Sequence, residues 1–178
     1  LIIAAGAELE IDGATTFRTG GTSQIAGTFD ANGSFDASNY ALNISGGGIL
    51  ALGNTGAPTS LGTLQTTSGT VSYDGAGSAV SVLADYYYNL EINSTPSIAT
   101  TTTGAVHTSG EFKVSSGKSI TLGGSLTAES LNIDGTLNGM SNDITVSGAS
   151  DIDGTVNLSN GTFDANGTFD ATSGTIDM

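Results

Sequence analysis

The sequence predicts an all-β protein: a right-handed parallel β-helix, or β-solenoid, running as one continuous unit over residues 1–178 with no internal linker. Three observations predict it. Apolar residues recur two apart in short runs, Gly, Asn, Asp or Ser ends nearly every run, and similar tags return at intervals of about 20 residues.

The alternation is clearest at Leu9 and Ile11, Leu42 and Ile44, Leu90 and Ile92, Phe112 and Val114, Ile120 and Leu122, and Leu131 and Ile133. A period of two puts each pair on one side of a strand, with Glu10, Asn43, Glu91, Lys113, Thr121 and Asn132 on the other. A β-sandwich also has many short strands with frequent turns. Its strands usually run longer, however, and its hairpins use two-residue loops rather than closely recurring tags.

The tags carry the period. LNIDGT at Leu131 is followed by DIDGT at Asp151, so Ile133 and Ile152 hold equivalent places one repeat apart. GTFDANGSFDAS at Gly27–Ser38 returns near the end as GTFDANGTFDAT, a hexapeptide used twice in tandem at both places. A repeat in this range is the signature of stacked coils that bury their inward residues on the layer below. Each hexapeptide then makes one face and corner of a coil, with Gly supplying positive φ at the corner and Thr opening the next strand. With about 20 residues per coil and ~4.8 Å between strands, the chain makes about nine coils in a rod roughly 40 Å long.

Composition agrees and narrows the function. There are 27 glycines, 2 prolines, no Cys and no Trp, and only 11% of residues are charged. Thr, Val, Ile, Tyr and Phe suit a pleated, half-buried surface. A formal charge of −14, with Arg18, Lys113 and Lys118 the only cations, removes nucleic acid and anionic lipid as partners. No apolar run is long enough to insert in a membrane. The lack of cysteine rules out disulfide staples and thiol catalysis.

LIIAAGAELEIDG and GTFDATSGTIDM both read as ordinary coils without caps. A solenoid end exposes an apolar cross-section and unpaired strand edges. We therefore expect continuation at each end, either in a longer polypeptide or by head-to-tail stacking of copies. The self-association residues would be Leu1, Ile2, Ile3, Leu9 and Ile11 at one end. At the other they would be Phe163, Phe169, Ile176 and Met178.

The stretch TSGTVSYDGAGSAVSVLADYYYNLEIN, Thr67 to Asn93, resembles a repeat of very large secreted bacterial surface proteins. In that family a Gly-Thr-Val-x-Tyr-x-Gly segment precedes a Tyr-Tyr-Asn-Leu segment, and SGEFKVSSGKSITLGGSLTAESLNIDGTLNG is similar to the coils that follow. The resemblance spans about residues 60–160, and the remaining sequence is similar to filamentous haemagglutinin-like adhesins. It implies an extracellular or cell-surface location and a stalk- or fibre-forming role, with no catalytic residues to carry over.

Few residues suggest chemistry. Tyr86, Tyr87 and Tyr88 form the one aromatic cluster, suited either to interior packing or to stacking on the sugars of a surface glycan. His107 is the sole histidine, so no histidine cluster can hold a transition metal, and no nucleophile elbow stands near it. Asp151 and Asp153 share a strand side, as an acid pair or as solvated turn residues. Asp30, Asp36, Asp164 and Asp170 recur once per hexapeptide within each tandem tag, as calcium ligands or as solvated corner acids. The Thr-rich segments, Thr100–Thr103 foremost, lack the fixed spacing a flat ice-binding face needs. Asn-x-Ser/Thr sequons stand at Asn32, Asn43, Asn93, Asn157, Asn160 and Asn166. The expectation is a non-enzymatic structural protein without a cofactor, partnered with itself. The alternative is a carbohydrate-binding or carbohydrate-cleaving β-helix acting through the Tyr86–Tyr88 surface.

Overall fold

A computed structural model of the chain describes residues 1–12, 16–18, 21–38, 40–53, 60–75, 80–94 and 100–178. All regular structure among them is β-strand, and every strand pairing is parallel. Since parallel neighbours cannot be joined by a hairpin, the chain closes a coil before it meets itself again. The architecture is a β-solenoid with three faces.

The second face is the spine. Glu8–Ile11, Thr28–Ala31, Ile49–Leu52, Thr70–Tyr73 and Asn89–Ile92 stack in that order. The ladder continues through the C-terminal halves of Val106–Val114 and Leu126–Ile133, then Ser150–Ile152 and Phe169–Asp170. Register partners run Leu9, Phe29, Leu50, Val71, Leu90, Phe112, Leu131, Ser150, Phe169, so nine layers are joined by near-equal steps along the chain. Each step is about 20 residues, the repeat expected of stacked coils. A second inward column runs beside it through Ala31, Leu52, Tyr73, Ile92, Val114, Ile133 and Ile152, all buried. Inward residues of one layer thus rest on those of the next, which is why a period of two along the chain becomes a column along the rod.

The first face begins as Ile2–Ile3, Ser23–Ile25, Ala41–Ile44 and Thr63–Thr66, where its ladder stops. It resumes as Tyr86–Tyr87, the N-terminal halves of Val106–Val114 and Leu126–Ile133, then Ile144–Val146 and Phe163–Ala165. The third face has Thr16–Arg18 and Ser34–Asp36 paired near the start. From Ser81–Val82 onward it is a continuous six-strand ladder ending at Thr175–Asp177.

The tandem hexapeptide turns one corner per repeat, as its spacing predicts. Phe29 and Phe35 lie on adjacent faces, point inward and meet edge to face at 5.8 Å. Phe163 and Phe169 repeat the arrangement at 5.9 Å. One expectation needs correcting. Glycine at the Gly-Thr corners supplies positive φ at Gly21 and Gly62, but not at Gly154. There the backbone passes so close to the layer below that a Cβ would lie 2.0 Å from the Gly135 carbonyl oxygen. Close approach, rather than handedness, excludes a side chain at that corner.

Ser150 interrupts the apolar column between Leu131 and Phe169. It is buried, and its hydroxyl oxygen has no hydrogen-bond partner among the described residues. Removing a buried unsatisfied hydroxyl relieves its desolvation penalty. Ser150→Ala is therefore expected to raise the free energy of unfolding by about 1 kcal/mol, read as a higher urea midpoint at unchanged slope.

Candidate binding cleft at the break in the first face

The strand Tyr86–Tyr87 sits where the first-face ladder restarts, and its alternation splits the tyrosines. Tyr86 points out and is 72% exposed, whereas Tyr87 points in and is 1% exposed. Tyr88 turns the corner half-buried, against Gly110, whose missing side chain leaves room for its ring. The aromatic surface considered for glycan contact therefore reduces to Tyr86, and Tyr87 belongs to the core.

Tyr87 meets Tyr73 inside the rod, and the two are the largest fully buried side chains. Their hydroxyl oxygens lie 3.3 Å apart. The Tyr87 hydroxyl donates to the Leu83 carbonyl at 2.7 Å, and the Leu83 N–H donates to the Tyr73 oxygen at 3.2 Å. With the Tyr87 proton committed to Leu83, the Tyr73 hydroxyl donates to Tyr87 and the ring of partners closes. Burial pushes the Tyr73 phenol up to about 12, and burial again pushes the Tyr87 phenol up further. Tyr73 and Tyr87 belong to successive layers, and their hydroxyls meet in the interior beside the break in the first-face ladder.

Thr63–Thr66 pairs with Ala41–Ile44 on one side and, among the described residues, with no strand on the other. Tyr86–Tyr87 lies beyond, with Cα atoms within 8 Å but outside ladder pairing. Between them opens a cleft of about 610 Å³ lined by Asn43, Ser45, Leu64, Gln65, Thr67, Tyr86, Tyr87, His107 and Ser109. Tyr86 and His107 are register partners, and their rings tilt together at 5.0 Å between centroids. This aromatic pair forms a ridge. On its far side lies a second hollow of about 340 Å³, which adds Asp85, Ser125 and Thr127. Burial pushes the Asp85 carboxyl up, opposed by the hydrogen bond its Oδ1 accepts from the Tyr86 N–H at 2.7 Å.

Asn89, the third residue of the Tyr-Tyr-Asn-Leu element, holds the corner beside the cleft. Its Oδ1 accepts the Glu111 N–H at 2.8 Å, where an extra residue bulges the strand between Thr108 and Glu111. The bulge places Ser109 at the cleft wall. Asn43, Gln65, Asp85 and Asn89 carry no sign of this cleft in the sequence, because each is an ordinary outward or corner residue until the stacking register is known. His107, the sole histidine, takes its place beside Tyr86.

The acids named for calcium form two pairs, each on adjacent faces of one coil: Asp30 with Asp36 and, at the other end of the rod, Asp164 with Asp170. Asp36 Oδ1 accepts from the Ser38 N–H at 3.0 Å and from its hydroxyl at 2.6 Å. Asp170 accepts the same pair of bonds from Thr172, which hold its carboxyl below the usual range. Both close an Asp-Ala-Ser/Thr turn. Asp30 neighbours Glu10 and Ala51 in its ladder, and Asp164 neighbours Thr145. Asp12, then burial and Asp30, push the Glu10 carboxyl up. Asp151 and Asp153 are exposed on either side of buried Ile152. Among the described residues no group of three or more His, Asp or Glu side chains is placed to hold a metal ion.

At the outer layers, Ile2 and Met178 are exposed, Leu1 and Phe169 less so, and Leu9, Ile11, Phe163 and Ile176 are half-buried against the core. Ile3 is buried within the first layer. Phe163 and Ile176 are register partners of Ile144 and Val156, which are fully buried one layer in. The same inward position is thus covered or uncovered according to whether another layer rests on it.

Fold and cleft together define the class: a parallel β-solenoid with an aromatic ridge at a break in one ladder. Comparison with protein-family models, with curated proteins and with solved structures finds no match to this chain.

Proposed function

We propose that this chain is a structural segment of an extracellular bacterial filament or adhesin stalk, akin to the β-helical repeats of filamentous haemagglutinin-like surface proteins. The observation that carries this reading is the unbroken second face, nine strands deep, with its paired inward columns. Backbone hydrogen bonds between layers run along the rod, and the side-chain columns fill its interior, so bending stretches one face while compressing another. A net charge of −14 keeps neighbouring rods solvated and apart. In this reading the chain is not an enzyme, and the uncovered inward residues of the outer layers rest on further coils, of the same polypeptide or of a second copy.

A direct head-to-tail tandem tests this. Joining Met178 to Leu1 keeps the coil period: Phe163 to Ile3 and Phe169 to Leu9 then have the same spacing along the chain as the register partners Leu126 and Ile144. Negative-stain electron microscopy is expected to show a single straight rod of roughly 80 Å, twice the ~40 Å that nine layers at ~4.8 Å occupy. Two beads at variable angles would reject the stalk reading.

A further inference from the structure

We propose that the cleft beside Tyr86 and His107 binds a neutral oligosaccharide, its sugar rings lying across the aromatic ridge from one hollow into the other. The inference stands apart from the stalk reading, since a rod needs no such cleft.

Four observations lead to this ligand class. Tyr86 presents 72% of its surface in mid-rod, held by a ladder on one side and tilted against His107 with ring centroids 5.0 Å apart. A flat apolar face with a polar tip matches the C–H face and hydroxyl rim of a pyranose ring. Around it stand side chains that both donate and accept: the amides of Asn43 and Gln65 and the hydroxyls of Ser45 and Ser109. Sugar hydroxyls also do both, so these groups suit them better than they suit a purely anionic or purely cationic ligand. The sole ionisable group added by the second hollow is Asp85, and neither Lys nor Arg is among the described residues lining either hollow. Uronic and sialic acids would meet a carboxylate and a chain of net charge −14, with no Lys or Arg among the described lining residues to offset them. The two hollows, about 610 and 340 Å³, fall within the range of small-molecule sites.

An extended peptide is the competing occupant, because Thr63–Thr66 leaves one edge unpaired in the ladder. Inserting a strand between two others requires about twice the 4.7–4.9 Å strand spacing. The Cα atoms of Thr63–Thr66 and Tyr86–Tyr87 come within 8 Å, which leaves no room for it.

The test uses the full chain against chitotetraose, cellotetraose, mannotetraose and galactotetraose, with trigalacturonate and sialyllactose as anionic arms and an octathreonine peptide as the strand arm. Titration calorimetry is expected to detect at least one neutral tetrasaccharide and neither anionic sugar. Tyr86→Ala is expected to weaken that binding by about tenfold or more, as loss of an aromatic anchor does. Tyr86→Phe keeps the stacking face and should stay within about threefold. Tyr40→Ala, at an exposed tyrosine outside the cleft, controls for general aromatic adhesion and should change nothing. Since Tyr86 is a surface residue, circular dichroism of its variants should match the parent. The proposal is overturned by no binding to any neutral probe at millimolar concentration, by binding indifferent to Tyr86→Ala, by preference for the anionic arms, or by capture of the peptide instead.

Discussion

Phe112→Ala is expected to lower the free energy of unfolding by about 3–5 kcal/mol and to divide the rod into two independently melting halves. Phe112 is fully buried, on the second-face column between Leu90 and Leu131. Truncation removes the ring's transfer free energy and leaves a void that ladders on both sides prevent from closing. In a globular core the loss would be shared among neighbours in every direction. A solenoid layer touches only the layers above and below, so stability is close to a sum of layer and interface contributions. A defect at one layer weakens two interfaces and leaves the others intact. Hydrogen exchange should show the amides of Leu90–Ile92 and Leu131–Ile133 losing protection ahead of those of Thr28–Ala31 and Thr155–Leu158. Uniform loss along the chain would mean that the rod unfolds as one cooperative unit instead.

That one-dimensional character also decides what the sequence disclosed. Residue pairs such as Leu131 and Ile133 declare their own orientation, because alternation with Asn132 is local and needs no knowledge of the partner strand. All six apolar pairs point inward, with only Leu9 and Ile11, in an outer layer, less than fully covered. The tandem Phe tags likewise carry their geometry within one hexapeptide, one inward ring per face. Three successive tyrosines carry no such contrast. Which of Tyr86, Tyr87 and Tyr88 turns inward depends on Tyr73, 14 residues away in sequence and one layer below. The ladder break is less legible still, since it is a relation between Thr63–Thr66 and Tyr86–Tyr87 that no property of either segment encodes. Corner glycines were legible as glycines but not in their reason: at Gly154 the constraint comes from Gly135, a residue of another coil.

Raising the pH from 10 to 12 is expected to destabilise the rod from the adjoining Tyr73 and Tyr87 layers outward, well before any ladder without a buried phenol responds. Both phenols are held protonated by burial, Tyr73 up to about 12 and Tyr87 further still in the same direction. In the unfolded chain each titrates near its ordinary value of about 10. Below that pH, folded and unfolded states carry the same protons, and the contribution of the pair is fully present. Above it the unfolded state releases protons that the folded state retains, so stability falls as pH rises and is lost through the folded pKa. For Tyr73 alone, a displacement from 10 to about 12 corresponds to about 3 kcal/mol, a large fraction of the stability of an ordinary domain. Ionisation inside the rod would also leave the Leu83 carbonyl without the hydroxyl proton it accepts. Circular dichroism during alkaline titration should therefore show loss of β-structure over this interval, together with rising tyrosinate absorbance. Replacing both tyrosines by Phe should flatten the pH dependence while lowering stability at neutral pH, because the Leu83 N–H and carbonyl then lose their partners in the buried ring. If the parent and the double variant lose structure along the same alkaline curve, the buried phenols do not set the limit.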